Sequence, residues 1–160
     1  MGRDYSALLP RFGALAALPS RQDRMEGFVS LWWTAFGGEH ASWVGFYEDR
    51  PGHPDAERLV LVARLPKPAC SPIGLHGACG RSLLSGEPLV VRDVAELGAG
   101  YIACDPADRS ELVVPCRAPN GSVWGVLDID SHRVGSFDDA DAVGCAALLE
   151  AAGLCSRKSV

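Results

Sequence analysis

Cysteine side chains are the most reactive groups in this sequence of 160 residues, which contains six of them. Three stand in stretches that predict loops or the start of a helix, where a thiol is accessible: Cys70, Cys79 and Cys104. Two such thiols can work as a pair, in which one attacks and becomes a sulfenic acid and the other closes a disulfide. The others fall in a predicted strand and in the last predicted helix, and we expect them to be small core residues: Cys116, Cys145 and Cys155.

Zinc binding and a cysteine–histidine nucleophile are the alternatives to such a pair. The first three cysteines lack the C-x₂₋₄-C spacing that is typical of zinc sites, so we expect no bound metal. Cys79 lies in the first turn of a predicted helix, where free N–H groups and the helix dipole favour a thiolate. The histidines show no local signature around a cysteine, and we expect each at the surface or in a loop: His40, His53, His76 and His132.

Three carboxylates are predicted to project from one face of a hairpin. Asn120-Gly121 between two apolar runs is typical of a two-residue turn, and this turn pairs Glu111 with Asp130. Because side chains alternate along a strand, Asp128 then shares their face, whereas a slip of one residue would scatter the three acids. Such a cluster binds a cation, for example a substrate ammonium, or keeps one acid protonated as a proton donor. The alternative is that the strand ends at the surface and the acids are merely solvated.

The elements that carry these residues predict a single α+β domain over 1–160, with a central antiparallel sheet flanked by N- and C-terminal helices. Segment 1–22 contains the N-terminal helix, and 156–160 is expected to be a frayed tail. Ser20 and Ser136 are the predicted N-caps of the second and the last helix. The apolar stripe expected to face the core contains, in the second helix, Met25, Phe28, Val29, Trp32 and Phe36, and in the last helix Ala140, Val143, Ala147 and Leu154. Apolar periodicity predicts helices over 5–18, 21–36, 77–84 and from 136 onward, and strands over 42–48, 58–65, 88–91, 112–114 and 123–129.

Two loops and one strand complete the predicted site. Residues 66–72 contain three prolines and predict a rigid loop that carries Cys70, and residues 93–109 predict a long loop that carries Cys104. Strand 42–48 places Trp43, Gly45 and Tyr47 on one face, which predicts a slot over the glycine between two aromatic rings. An ordinary aromatic core face is the alternative reading of that strand.

Composition and charge exclude several classes of function. The net charge of −5 argues against a nucleic-acid partner. Apolar runs stay well below the roughly 18 residues of a membrane span, and the N-terminus lacks the layout of a signal peptide. We therefore expect a cytoplasmic protein whose cysteines are kept in a reducing compartment.

Six motifs between about residues 24 and 150 resemble, in the same order, those of the free methionine-(R)-sulfoxide reductases, which are stand-alone GAF-domain enzymes. They are Trp43-Val44-Gly45-Phe46-Tyr47, Lys67-Pro68-Ala69-Cys70, Ala78-Cys79-Gly80, Ile102-Ala103-Cys104-Asp105, Ser110-Glu111-Leu112-Val113-Val114-Pro115 and Gly125-Val126-Leu127-Asp128-Ile129-Asp130-Ser131.

The resemblance implies a GAF-like fold and reduction of free L-methionine-(R)-sulfoxide, with no bound cofactor and with electrons from thioredoxin. It implies that Cys104 is the nucleophile, Cys70 the main resolving partner and Cys79 a second thiol that can take part. Free methionine-(R)-sulfoxide and thioredoxin are the implied partners, and relatives are often homodimers. The implied substrate-binding residues are three acids for the polar groups and two aromatic residues that wall the methyl-sulfoxide end: Glu111, Asp128, Asp130, Trp43 and Tyr47.

Two departures from the family pattern leave points open. The interval from Cys70 to Cys79 is one residue shorter than is usual in the family, so either cysteine remains the candidate resolving thiol. Residues 95–101 lack the histidine that the family usually carries before the nucleophile, so the activation of Cys104 is open. The alternative function is a non-catalytic GAF module that binds a small molecule or senses redox state, and a structural zinc protein is a third.

Overall fold

The computed structural model describes residues 2–98, 101 and 104–158. Within them the chain forms five strands in one antiparallel sheet of order β2-β1-β5-β4-β3. The predicted motif residues Ile102 and Ala103 lie outside the described part of the chain, as do residues 159 and 160 of the predicted tail. The helices and strands are α1 (Leu9–Gly13), α2 (Arg21–Phe36), β1 (Trp43–Asp49), β2 (Leu59–Leu65), α3 (Ala78–Ser85), β3 (Leu89–Val91), β4 (Ser110–Arg117), β5 (Val123–Ser131) and α4 (Asp139–Ala151).

The predicted N-terminal helix over 5–18 is broken into three short pieces. A 3₁₀ turn precedes the five-residue α1, and a second one follows it. Pro10 stands in the first turn of α1, and its missing N–H removes the hydrogen bond that would continue a helix from Ser6. Tyr5 and Phe12 are nevertheless buried, so the apolar stripe that suggested the helix does pack on the core.

Helix α2 agrees with its prediction at both ends. The Ser20 side chain accepts a hydrogen bond from the Asp23 backbone N–H at 3.0 Å, and the helix ends at Gly37. Phe36 of the predicted stripe is half-buried, and the other four residues are buried: Met25, Phe28, Val29 and Trp32.

Alternation along β1 divides the protein into two apolar clusters. Val44 and Phe46 join the large core under α2 and α4. Trp43 and Tyr47 join a smaller cluster on the other face of the sheet, together with α3. The predicted face assignment of β1 is therefore confirmed, and the second face is free of the long helices.

The β4–β5 hairpin has the predicted register but not the predicted turn. Glu111 pairs with Asp130 and Val113 with Asp128, as expected. The turn is one residue longer, because Gly121 N donates to Ala118 O and Ala118 N donates to Ser122 O. Pro119 has no N–H and so cannot close a two-residue turn around Asn120-Gly121. A bulge between Cys116 and Arg117 then restores the register that the shorter turn would have set.

The start and the apolar stripe of the last helix differ from the prediction. Asp138, not Ser136, is the N-cap of α4, and it forms a capping box with Asp141. Val143, predicted on the core side, is 71% exposed, whereas Cys145 is buried on the face that meets the core. Cys116 is also fully buried, as predicted, while Cys155 is half-buried after the end of the helix.

Among the helices of the described residues, none is long and apolar enough to cross a membrane.

Candidate active site

A cavity of about 270 Å³ opens on the second face of the sheet, between the strands, α3 and the loops that carry Cys70 and Cys104. All eight site residues predicted from the sequence line it: Trp43, Tyr47, Cys70, Cys79, Cys104, Glu111, Asp128 and Asp130. The structure thus brings together residues that are spread over most of the chain. A small molecule is the kind of ligand that such a concave site accommodates.

The floor of the cavity is the predicted carboxylate cluster. Glu111 and Asp128 are buried, and the phenol of Tyr101 donates a hydrogen bond to Glu111 Oε2 at 3.0 Å. Asp128 Oδ1 is buried and has no hydrogen-bond partner among the described residues. An oxygen in this state is ready to accept a hydrogen bond from a ligand.

Burial raises the pKa of all three acids, and repulsion by neighbouring carboxylates adds to this at Asp128 and Asp130. Burial is the main cause for Asp128, and the charges of Asp130 and Glu111 add to it. Burial also raises the pKa of Asp130 and of Glu111, and at Glu111 the hydrogen bonds with Asp128 and then with Tyr101 partly offset it. Like charges this close do not all ionise together, so the cluster holds a proton at a pH where an exposed carboxyl has lost it. It can therefore receive a cation and supply a proton.

Trp43 and Tyr47 form the aromatic wall, with ring centroids 6.1 Å apart. The predicted open slot over Gly45 is wrong, because the Trp43 ring itself lies over this glycine and a Cβ there would overlap it. The Trp43 Nε1–H donates to Lys67 O at 2.8 Å, and the Tyr47 hydroxyl donates to Cys70 O at 2.8 Å. Both polar groups hold the Cys70 loop, so the rings present apolar surface to the cavity.

Cys70 and Cys104 are joined by a disulfide, with their Cα atoms 5.6 Å apart and 34 residues between them in sequence. Both residues are exposed. A disulfide at the surface is accessible to an external dithiol, which must reach one sulfur in line with the S–S bond.

Cys79 differs from the prediction of a favoured thiolate. It does lie in the first turn of α3, but it is only 5% exposed. Burial raises the pKa of its thiol well above the usual range, and the charges of Asp128 and Glu111 raise it further. These effects outweigh the helix dipole. The dipole of an eight-residue helix stabilises a thiolate less than burial and the neighbouring carboxylates destabilise it.

Four polar residues near Cys104 were missed as a group by sequence reasoning: Lys67, Asp105, Asp108 and His132. Asp105 Oδ2 lies 3.0 Å from both Lys67 Nζ and His132 Nε2. Asp108 is buried, and burial, followed by the charge of Asp105, raises its pKa to about 6. His132 was expected to be an unengaged surface residue. Asp105 and Lys67 had a sequence signal, since each lies in a motif with a reactive cysteine, whereas Asp108 and His132 lie outside the motifs.

Within the part of the chain that the structure describes, two groups of side chains are compact enough to approach a single cation. The donor atoms lie within 4.8 Å of one another in Cys79, Glu111 and Asp128, and likewise in Asp105, Asp108 and His132. We assign neither group to a metal. The carboxylates of the first form the floor that a cationic ligand group would meet, and Asp105 in the second already pairs with Lys67.

The sequence is similar to a known family and to several known proteins. Residues 22–154 match the family model described as GAF domain. Protein YtsP of Bacillus subtilis is 32% identical over 142 residues, which cover 87% of this chain and 82% of the relative. The free methionine-R-sulfoxide reductase of Escherichia coli is 38% identical over 112 residues, which cover 68% of this chain and 62% of that protein.

A solved structure gives the same result in three dimensions. The free methionine-R-sulfoxide reductase from Neisseria meningitidis, determined in complex with its substrate, is 30% identical and superposes with a TM-score of 0.82. The superposition covers 95% of this chain and 90% of that one. These matches confirm the predicted fold.

Proposed function

The chain belongs to the GAF-domain family, and we propose that it reduces free L-methionine-(R)-sulfoxide to L-methionine. One observation carries the proposal. Cys104, bonded to Cys70 at the surface, lines a cavity whose floor is three carboxyls and whose wall is two aromatic rings. A redox-active thiol pair beside a proton source and a cation site is what reduction of an amino-acid sulfoxide requires.

The substrate binds through its charged end to the acidic floor of the cavity and through its apolar end to the aromatic wall. The α-ammonium group of the substrate pairs with ionised carboxylates of the floor, which relieves their mutual repulsion. The methyl-sulfoxide end packs against the faces of Trp43 and Tyr47, whose polar atoms are already engaged with the Cys70 loop. This orientation directs the sulfoxide sulfur toward Cys104.

In the first chemical step the Cys104 thiolate attacks the sulfoxide sulfur. A protonated carboxyl of Glu111, Asp128 or Asp130 gives its proton to the sulfoxide oxygen. The S–O bond breaks, the oxygen is transferred to Cys104 as a sulfenic acid, and methionine leaves. The substrate sulfur gains the two electrons that the cysteine sulfur loses, so the step balances.

In the second step the Cys70 thiol attacks the Cys104 sulfenic acid, and water leaves as the disulfide forms. Cys70 is exposed and adjacent to Cys104, whereas Cys79 is buried and its thiol pKa is raised. Thioredoxin then supplies two electrons through thiol–disulfide exchange and returns both cysteines to thiols. The exposure of the pair favours this exchange.

The test is NADPH consumption with thioredoxin and thioredoxin reductase on free methionine-(R)-sulfoxide. We expect turnover by the wild type, none by Cys104→Ser, and normal turnover by the control Cys155→Ser, because Cys155 lies outside the cavity. Free methionine-(S)-sulfoxide and a peptide containing the (R)-sulfoxide serve as substrate controls.

Undiminished turnover by Cys104→Ser, or no turnover by the wild type, would contradict the proposal. Saturable binding of the sulfoxide without turnover would favour the alternative, a non-catalytic GAF module.

A further inference from the structure

The segments that carry the two reactive cysteines are joined by the disulfide and also by non-covalent contacts. Cys70 lies in the loop 66–72 after β2, and Cys104 begins the segment 104–109 before β4. In the proposed cycle the disulfide opens once per turnover, and Cys70 must then find Cys104 again. Non-covalent contacts that remain after the disulfide is reduced determine how close the two thiols stay.

Two hydrogen bonds fix the backbone of the Cys70 loop to β1. Trp43 Nε1–H donates to Lys67 O, and the Tyr47 hydroxyl donates to Cys70 O, each at 2.8 Å. Both donors belong to buried side chains of the sheet. Neither hydrogen bond involves a sulfur atom, so opening the disulfide does not by itself break either of them.

The side chain of Lys67 reaches across to the residue next to Cys104. Its Nζ lies 3.0 Å from Asp105 Oδ2, and His132 Nε2 at the end of β5 lies 3.0 Å from the same oxygen. The backbone N–H of Ala107 donates to Asp105 Oδ1 at 2.9 Å. The Ala107 bond first, then His132 and Lys67, hold the pKa of Asp105 well below its usual range, so the carboxylate stays charged.

We propose that the Lys67–Asp105 ion pair keeps Cys70 within reach of Cys104 after the disulfide opens, which makes Lys67 a positioning residue for disulfide formation. The disulfide brings the two segments together and so favours the ion pair. By reciprocity of linkage, the ion pair favours the disulfide to the same extent. This inference rests on the proposed function for its role in turnover.

The size of the effect follows from exposure. The side chains of Lys67 and Asp105 are 55% and 23% exposed, so solvent screens the pair and its contribution is that of a surface ion pair. We expect the equilibrium for closing the disulfide to weaken about two- to fivefold without Lys67. For a two-electron couple, at 29.6 mV per tenfold, this raises the reduction potential by about 9 to 21 mV.

The experiment measures that potential without any sulfoxide. The wild type, Lys67→Gln, Lys67→Arg and Lys158→Gln are equilibrated with graded ratios of reduced and oxidised dithiothreitol, and the open fraction of the Cys70–Cys104 pair is read by alkylation and mass spectrometry. Lys158 is the only other lysine of the chain and pairs with Glu87, so it is a matched control. Each protein is measured at low salt and in about 1 M salt, where the screening length is about 3 Å.

We expect Lys67→Gln alone to show the raised potential at low salt, and the difference from the wild type to vanish at high salt. Lys67→Arg should match the wild type because it keeps the charge. An unchanged potential in Lys67→Gln, a difference that persists at high salt, or an equal shift in Lys158→Gln would overturn the inference. Failure of the proposed function would appear separately, as a normal potential shift in a protein that turns over no sulfoxide.

Discussion

Replacing each candidate resolving cysteine in turn gives the sharpest test of the site. In Cys70→Ser we expect one methionine per chain to be released quickly and further release to be slow, because the remaining thiol of the cavity, Cys79, is buried and attacks the Cys104 sulfenic acid poorly. In Cys79→Ala we expect release to continue beyond one per chain, at a rate altered through the adjacent acids. The reason is geometric: Cys70 has its Cα 5.6 Å from that of Cys104, whereas Cys79 is only 5% exposed.

The magnitude follows from the state of the Cys79 thiol. Its pKa lies well above the usual value of 9.0, because of burial first and the nearby carboxylates second. Each unit by which a pKa rises cuts the thiolate fraction about tenfold at neutral pH, and the thiolate is the form that attacks. Cys79 also sits in the first turn of α3, which would have to open. We therefore expect the steady rate of Cys70→Ser to fall by about tenfold or more.

The assay is rapid mixing of reduced protein with free methionine-(R)-sulfoxide, followed by chromatography of methionine per chain with and without thioredoxin. Cys155→Ser is the control for loss of an unrelated thiol. Mass spectrometry of the quenched samples locates any disulfide. Sustained turnover by Cys70→Ser at the wild-type rate, together with a Cys79–Cys104 disulfide, would refute the reasoning.

Three further predictions concern stability and binding. Gly45→Ala places a Cβ in the Trp43 ring and 2.9 Å from Ala63 O, so we expect a loss of about 1 to 3 kcal/mol in urea unfolding and a raised KM; an unchanged KM would contradict this. The fold raises the pKa of Asp108 from 3.8 to about 6, so its protonation stabilises the native state below pH 4 and this stabilisation is lost as the pH rises to 6. In Asp108→Asn the free energy of unfolding, measured with urea, should change less with pH between 4 and 6 than in the wild type. An unaltered pH dependence in that range would contradict the raised pKa of Asp108. Asp138→Ala removes the N-cap of α4 and should cost about 1 kcal/mol, with Asp139→Ala as an exposed control that costs less.

Much of the fold could be predicted because its rules are local. The serine cap and the apolar stripe of α2 need only neighbouring residues, and both are confirmed. The two faces of β1 follow from alternation and are confirmed as well. The N-terminal helix was overpredicted, since periodicity records which side is buried but not whether Pro10 interrupts the helix.

The hairpin shows how a correct result can rest on a wrong local step. The turn prediction overlooked the missing N–H of Pro119, and the register survived because a bulge at Cys116 and Arg117 compensates for the longer loop. Bulges depend on how a strand packs with its neighbours, and such packing has no signature within a few residues of sequence.

Sequence by itself determined which side chains face the same way along the strands. The shared face of Glu111, Asp128 and Asp130 required only the pleat of a β-strand and the pairing of two neighbours. The family motifs then indicated a substrate and assigned all the predicted site residues to one active site.

Tertiary structure alone decided what each thiol can do. Pairing of Cys70 with Cys104, burial of Cys79 and the ionic contacts of Asp105 all join segments from distant parts of the chain. Accessibility and thiol pKa depend on the atoms that surround a group in space, so residue type and spacing left Cys70 and Cys79 equivalent. The fold separates them, by leaving one at the surface and enclosing the other beside carboxylates.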